Sequence, residues 1–422
     1  MATQTIISSA QATRNAESEI VDDMRPFLRT YKSGRVERLM PDTFVPASED
    51  PGDTGVATRD VVIDPATGVS ARLFLSVGAV AAGRRLPLVI YFHGGAFCTG
   101  SAFSELFHRY AASLSARAGV LVVSVEYRLA PEHPIPAAYE DAWVALRWAA
   151  SRSDPWLAFH ADPNPTRMFL AGESAGANIA HSMAARVAAD GEDIHIEGMV
   201  LLQPFFWGTE RLPAETDRHD GPVFSPELVD TLWPFLTAGA AGNDDPRISP
   251  PAGQVASLPC RRVLVGVAAK DVVRDRGCRY AAWLRRGDRC REVTLVESKG
   301  KDHGFHLYRP ECASAVALMD RVAEFINGWA PSVIADAETE RLHAREGTSK
   351  TGRAASGDGP DMEVSDSPGL KAPNALAAKR PTPPEAAASF QLEIGLASSS
   401  EMIQRRPFAP ADLGTAVAKS RL

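Results

Sequence analysis

A serine set between glycines, an aspartate and a histidine each follow an apolar run in this sequence, and these three residue types together support nucleophilic acyl transfer. The serine is Ser174, in Gly172-Glu173-Ser174-Ala175-Gly176. A hydroxyl is a poor nucleophile at neutral pH, so an imidazole must accept its proton and a carboxylate must hold that imidazole. Asp271 comes just after RVLVGVA at 262–268, and His303 just after EVTLVE at 292–297. Asp275 and His306 are the rivals. Asp271 is favoured because it lies nearer the end of its run, whereas Asp275 falls in the helix expected next. His303 is favoured because Gly304 after it suits an exposed loop, whereas His306, in FHLY, suits packing.

Upstream, LVIYF at 88–92 runs into His93-Gly94-Gly95-Ala96-Phe97. A developing oxyanion is best met by main-chain N–H groups, and glycines leave the chain free to aim them. Gly94 and Gly95 are the expected donors, joined by the N–H of Ala175, and His93 is a positioning residue. Taken alone, a GxSxG match recurs by chance and a Gly-Gly pair is an ordinary turn. The strand before the serine, the helix after it and the order of all four parts give the pattern its weight. Phe97, Phe205, Phe206 and Trp207 are candidates to line an acyl or alcohol pocket, although aromatic residues serve equally well in a core. Glu173, Asn178 and Asp141 are expected to brace the serine turn by hydrogen bonds.

These residues need elements to hold them. The strand candidates are 72–77, 88–92, 120–125, 168–172, 199–203, 262–268 and 292–297, several of them unbroken apolar runs suited to strands covered on both faces. Helical patterns fall between them at Ser104–Ala118, Ala137–Ala150 and Ala175–Ala189, the last with Ile179, Met183 and Val187 on one stripe. Alternation of this kind predicts an α/β fold with a mostly parallel sheet. Two segments break the rhythm. Glu17–Arg25 reads as a short helix ended by Pro26, followed by a hairpin turning at Ser33-Gly34. Residues 204–250 are long and aromatic and read as an insertion or cap over one end of the sheet.

Of the 422 residues, 45% are hydrophobic, enough for a sizeable core. Composition divides the chain into a flexible 1–16, an α/β domain at 17–330, and a low-complexity tail at 331–422. The tail is rich in Ala, Ser, Pro and Gly, with Phe390 and Phe408 as its aromatics, and buries too little apolar surface to order itself. Net charge is −7 without a basic block, which argues against nucleic acid as a partner. The five cysteines form no CxxC pair, so a reducing compartment is expected: the cytoplasm, with access to the nucleus open. The N-terminus lacks the apolar stretch of a secretory signal, and no run is long enough to span a membrane. The histidines outside the site show no metal-binding spacing, so neither metal nor cofactor is expected. Oligomeric state stays open.

With these residues in view, the chain resembles the plant carboxylesterases of the hormone-sensitive-lipase-like group of α/β-hydrolases. The resemblance rests on YFHGGAFCTGSA, VEYRLAPEHPIPAAYEDAW, AGESAGANIAH, AAKDVVRDRG and DHGFHLY, and covers about 17–330. It implies an eight-stranded sheet, a cap built partly from the N-terminal segment, and hydrolysis of small to medium carboxylic esters. It also implies Asp271 as the acid and His303 as the base. The oxyanion loop reads HGGA where many members have HGGG, and the tail has no counterpart. The same group includes gibberellin receptors, which keep the pocket and lose the catalytic histidine, and hydroxyisoflavanone dehydratases. Retention of Ser174, Asp271 and His303 favours hydrolysis over both.

Overall fold

Leu88–Phe92 shows how the sheet is built. All five of its residues are buried, yet they serve two cores: Leu88, Ile90 and Phe92 enter one apolar cluster, and Val89 and Tyr91 the other. That is the two-residue alternation of a strand with both faces covered. A computed structural model describes residues 19–40, 42–164, 167–216 and 224–328. The segments expected to be flexible or low in complexity, 1–16 and 331–422, lie outside the described residues.

In chain order the strands are β1 (Ile20–Met24), β2 (Leu28–Tyr31), β3 (Val36–Arg38), β4 (Val56–Asp64), β5 (Val69–Ser76), β6 (Leu88–Phe92), β7 (Leu121–Glu126), β8 (Met168–Glu173), β9 (Gly198–Leu202), β10 (Arg262–Ala268) and β11 (Glu292–Ser298). The main sheet has eight strands in the order β11-β10-β9-β8-β6-β7-β5-β4. Neighbours from β11 to β7 are parallel, and β5 pairs antiparallel with both β7 and β4. Helices Ala137–Ser151, Ala175–Asp190 and Arg274–Arg286 cover one face; Glu105–Ala118 and Ala313–Asn327 cover the other. Each fully buried Leu, Val or Phe in these layers contributes about 1.5–3 kcal/mol against the entropy of ordering the chain.

The strand order also places the site. From β6 the chain moves to β7 on one side, then returns to lay β8 on the other side of β6. The loops leaving the carboxyl ends of β6 and β8 therefore diverge at this switch point and open a crevice between them. These are the HGGAF loop and the serine turn.

The expected strands and central helices are present within a few residues of their anticipated limits. Three elements differ. Ile20–Met24, expected as part of a short helix, is a strand antiparallel to β2, with Met24 opposite Leu28. The hairpin β2–β3 forms as anticipated and leaves an edge of unpaired N–H and C=O groups, which the β-branched pair Ile20-Val21 and its neighbours satisfy. Phe27 and Leu28 anchor this small sheet in the core. β4 lies outside the expected strands, because only its first part is buried and Arg59 and Asp60 interrupt its apolar pattern. The helix Ala313–Asn327 was also unanticipated, although Leu318, Met319, Val322 and Phe325 mark its buried stripe. In the 204–250 insertion, Ser225 caps the helix Pro226–Leu236 by accepting the N–H of Leu228 at 3.2 Å. No helix among the described residues is long and apolar enough to cross a membrane.

Candidate active site

Ser174 sits between β8 and the helix Ala175–Asp190 with φ +54° and ψ −118°. Left-handed φ in a non-glycine residue costs on the order of 1–3 kcal/mol and persists only where its surroundings enforce it. Here the Ser174 N–H donates to Leu202 O at 2.9 Å, and its carbonyl accepts the N–H of Phe205 at 3.0 Å. The flanking glycines answer a packing demand. A Cβ on Gly172 would lie 2.3 Å from the Gly176 carbonyl carbon, and one on Gly176 would lie 1.9 Å from Phe92 O. The turn thus closes against itself and against the end of β6. Glu173 and Ala175 on either side are buried, while Ser174 is partly exposed.

The aspartate and histidine come together because their strands are neighbours in register. Ala268 at the end of β10 pairs with Ser298 at the end of β11, and Lys270 N–H donates to Lys301 O at 2.8 Å between the loops beyond. Asp271 Oδ2 lies 2.8 Å from His303 Nδ1, and Asp271 Oδ1 accepts the Val273 N–H at 3.1 Å. Gly304, at φ +70°, donates its N–H to Gln203 Oε1 at 2.7 Å and holds the histidine loop to the end of β9. Burial opposes the charged imidazole, but the Asp271 carboxylate outweighs it and holds the His303 pKa above the usual histidine value.

The rivals are placed elsewhere. Asp275 lies in the helix Arg274–Arg286, paired with Arg274 and accepting the N–H of Ala214. His306 is buried against Tyr110 and Phe305, with neither ring nitrogen partnered.

The loop after β6 corrects one assignment. Gly94 N–H is already engaged, donating to Glu173 Oε1 at 2.5 Å, so it is not free to meet an oxyanion. The next two N–H groups, of Gly95 and Ala96, have no acceptor among the described residues, and neither has that of Ala175. Gly95 has φ +105°, and a Cβ there would fall 2.1 Å from Thr99 O. Ala96 and Phe97 also have positive φ, +52° and +59°. Glu173 is held by Tyr91, whose hydroxyl donates to Oε2 at 2.6 Å; burial outweighs both bonds and pushes its carboxyl up to about 8. His93 stacks on Tyr127 at 4.3 Å, places Nδ1 2.7 Å from Gly94 O, and is kept neutral by burial, its pKa near 4.

Asn178 braces as anticipated: its amide donates to Phe205 O and Arg247 O, tying the serine helix to the insertion. Asp141 does not brace the turn. It binds Arg128 through the guanidinium and the backbone N–H, in the loop after β7.

Ser174 and His303 open into one cavity of about 940 Å³, counting its mouth to solvent. Phe205 lines it, but the other three proposed pocket aromatics do not. Phe97 is fully buried among Tyr139, Trp233 and Phe205. Phe206 stacks on Tyr280 at 4.9 Å, and Trp207 donates its indole N–H to Asp230 at 2.8 Å, both turned from the cavity. Residues that sequence reading missed supply the wall: Phe27 and Met40 from the N-terminal segment, Phe224, Val229 and Leu232 from the insertion, and Val273 and Leu307 from the segments just after Asp271 and His303. Phe224 stacks on Phe27 at 5.1 Å and meets the His303 ring edge-on at 4.9 Å. The cap therefore touches the histidine itself. No periodic signal marks such residues, because they converge from separate segments.

The family described as alpha/beta hydrolase fold matches residues 89–307, the stretch that carries every one of these site loops. A 2-hydroxyisoflavanone dehydratase from Glycyrrhiza echinata is 40% identical over 336 residues, covering 75% of this chain and 99% of that protein. A probable mitochondrial carboxylesterase from Arabidopsis thaliana is 40% identical over 328 residues, covering 74% of this chain and 85% of its own. Among solved structures, the esterase LipW from Mycobacterium marinum is 30% identical with a TM-score of 0.56, covering 67% of this chain and 84% of that one. The chain belongs to the alpha/beta hydrolase fold family, in the group that includes the plant carboxylesterases.

Proposed function

We propose that this protein is a serine carboxylesterase that hydrolyses small to medium esters through an acyl-enzyme on Ser174. The observation that carries the reading is the 2.8 Å Asp271–His303 pair opening into the same cavity as a partly exposed serine on a strained turn. His303 takes the proton of Ser174 as the oxygen attacks the ester carbonyl. The N–H groups of Gly95, Ala96 and Ala175 receive the oxyanion, with Gly94 held aside by Glu173. His303 then protonates the leaving alcohol, and water completes the cycle. Asp271 fixes the imidazole tautomer and stabilises its charged form. The mostly apolar cavity wall suits an uncharged ester. The cytoplasm is the proposed compartment, supported by five cysteines without a disulfide.

A second reading is a dehydratase, favoured by the Glycyrrhiza relative of that name. Water elimination calls for a base and needs no acyl-enzyme, so the two readings part at the serine. Ser174→Ala should lower hydrolysis of p-nitrophenyl butyrate by roughly 10⁶-fold in kcat. Hydrolysis by this variant at the parent's rate would remove the esterase mechanism.

A further inference from the structure

Behind the loop that carries His303 lies a second cleft that ester hydrolysis leaves unused. His306 is 3% exposed, and neither of its ring nitrogens has a hydrogen-bond partner. Buried polar groups are normally satisfied, and one left bare bears its full desolvation penalty. Burial, with the neighbouring His303 adding to it, holds the His306 pKa near 3, so the ring is neutral and adds no charge to the cleft that it lines.

His306 lines a cleft of about 630 Å³, mouth included, between the helix Glu105–Ala118 and the helix Ala313–Asn327. One wall carries Arg109, Ser113 and Arg117, which follow one another along a single helix face. The opposite wall is apolar, built on Leu318 and Met319. Arg117 is paired with Asp320. Arg109 is exposed and donates to Leu307 O at 3.0 Å, but no carboxylate among the described residues pairs with it. One uncompensated cation and an aliphatic floor thus face the same space, with the His306 ring packed into its wall.

We propose that this cleft is a second binding site for a small aliphatic monocarboxylate, with its carboxylate on the Arg109 guanidinium, its chain along Leu318 and Met319, and the His306 ring in the wall beside it. A single unpaired positive charge matches a monoanion, and the guanidinium fork suits a carboxylate. Leu106 and Leu307 line both this cleft and the catalytic cavity, so the ligand would pack behind the loop that holds the base. A short-chain carboxylate is also what ester hydrolysis releases. That link rests on the function proposed above; the site itself does not.

The test uses the full chain and sodium hexanoate, without turnover. Titration should move the imidazole ¹⁵N signals of His306 saturably. Arg109→Gln removes the charge at an exposed position and should weaken binding about tenfold or more, as should replacing hexanoate by hexanamide. Ser113→Met, which fills the cleft from its wall, should abolish the shift. Leu232→Trp, which fills the catalytic cavity, should leave the affinity unchanged. The proposal is overturned if hexanoate leaves the His306 signals in place, if hexanoate binds only in the catalytic cavity, or if Arg109→Gln binds as tightly as the parent. In those cases the cleft holds ordered water only.

Discussion

The carboxyl edge of the main sheet and the cap above it are built on different principles. At the edge, backbone sets the framework: β10 and β11 in register bring Asp271 and His303 together, and close approach of chains requires Gly172 and Gly176. In the cap, side chains meet from distant segments. Phe27 stacks on Phe224, which meets the His303 ring edge-on, with no backbone pairing between the two phenylalanines among the described residues. On the function proposed above, reaction type follows from strand register, whereas substrate choice is left to side-chain packing in the cap.

The sharpest way to break this division is at the edge. Asp271→Asn should lower kcat by about 10⁴-fold through loss of the correct tautomer, with little change in stability. The same variant tests the pH account. In the parent, Asp271 raises the His303 pKa, and only neutral His303 can act as base. Activity should therefore fall with falling pH along a limb centred above the ordinary histidine value, and in Asp271→Asn that limb should move to lower pH. A pH–rate profile of kcat/KM reads both.

Glu173 probes the support of the oxyanion loop. Its carboxyl is pushed up to about 8, so at neutral pH an amide can stand in for it, accepting the Gly94 N–H through its oxygen and donating its NH2 to the Tyr91 hydroxyl oxygen. Glu173→Gln should stay within about threefold of the parent, while Glu173→Ala should lower kcat about tenfold with KM unchanged, a fraction of the loss of a direct oxyanion donor. An equal loss in both variants would mean that charge, and not positioning, is what Glu173 supplies.

Two phenylalanines separate cap from core. Phe224→Ala removes pocket wall and should raise KM about fivefold to tenfold and shift the preferred acyl length, with a small loss of stability. Phe206→Ala should do the reverse, lowering stability by about 3–5 kcal/mol and leaving the chain-length profile as it is. An acyl-length series with a denaturant titration tests the pair. The smallest effect is expected from removing residues 331–422. The core and cavity are built from described residues that fall between 19 and 328, so the shortened chain should hydrolyse at the parent's rate.

The same contrast explains what could be read in advance. Ser174, Asp271 and His303 were legible because each follows an apolar run, and a strand end is a predictable place for a loop. The Gly94 assignment failed because N–H direction depends on the φ of Gly95 and on the Glu173 carboxylate, neither of which a motif encodes. Phe97, Phe206 and Trp207 were misplaced for a related reason: composition says that an aromatic is buried, not which space it faces. Ile20–Met24 read as helix on local grounds, and pairing with β2 overrode them. β4 was hidden by Arg59 and Asp60, which an edge strand tolerates because it is partly solvated.

The central claim is that Ser174 is a nucleophile made reactive by His303. Fluorophosphonate labelling followed by peptide mass mapping tests it directly. One adduct is expected, on the peptide that contains Ser174, absent from Ser174→Ala and strongly slowed in His303→Ala. An unlabelled parent, or equal labelling of Ser174→Ala, would contradict it.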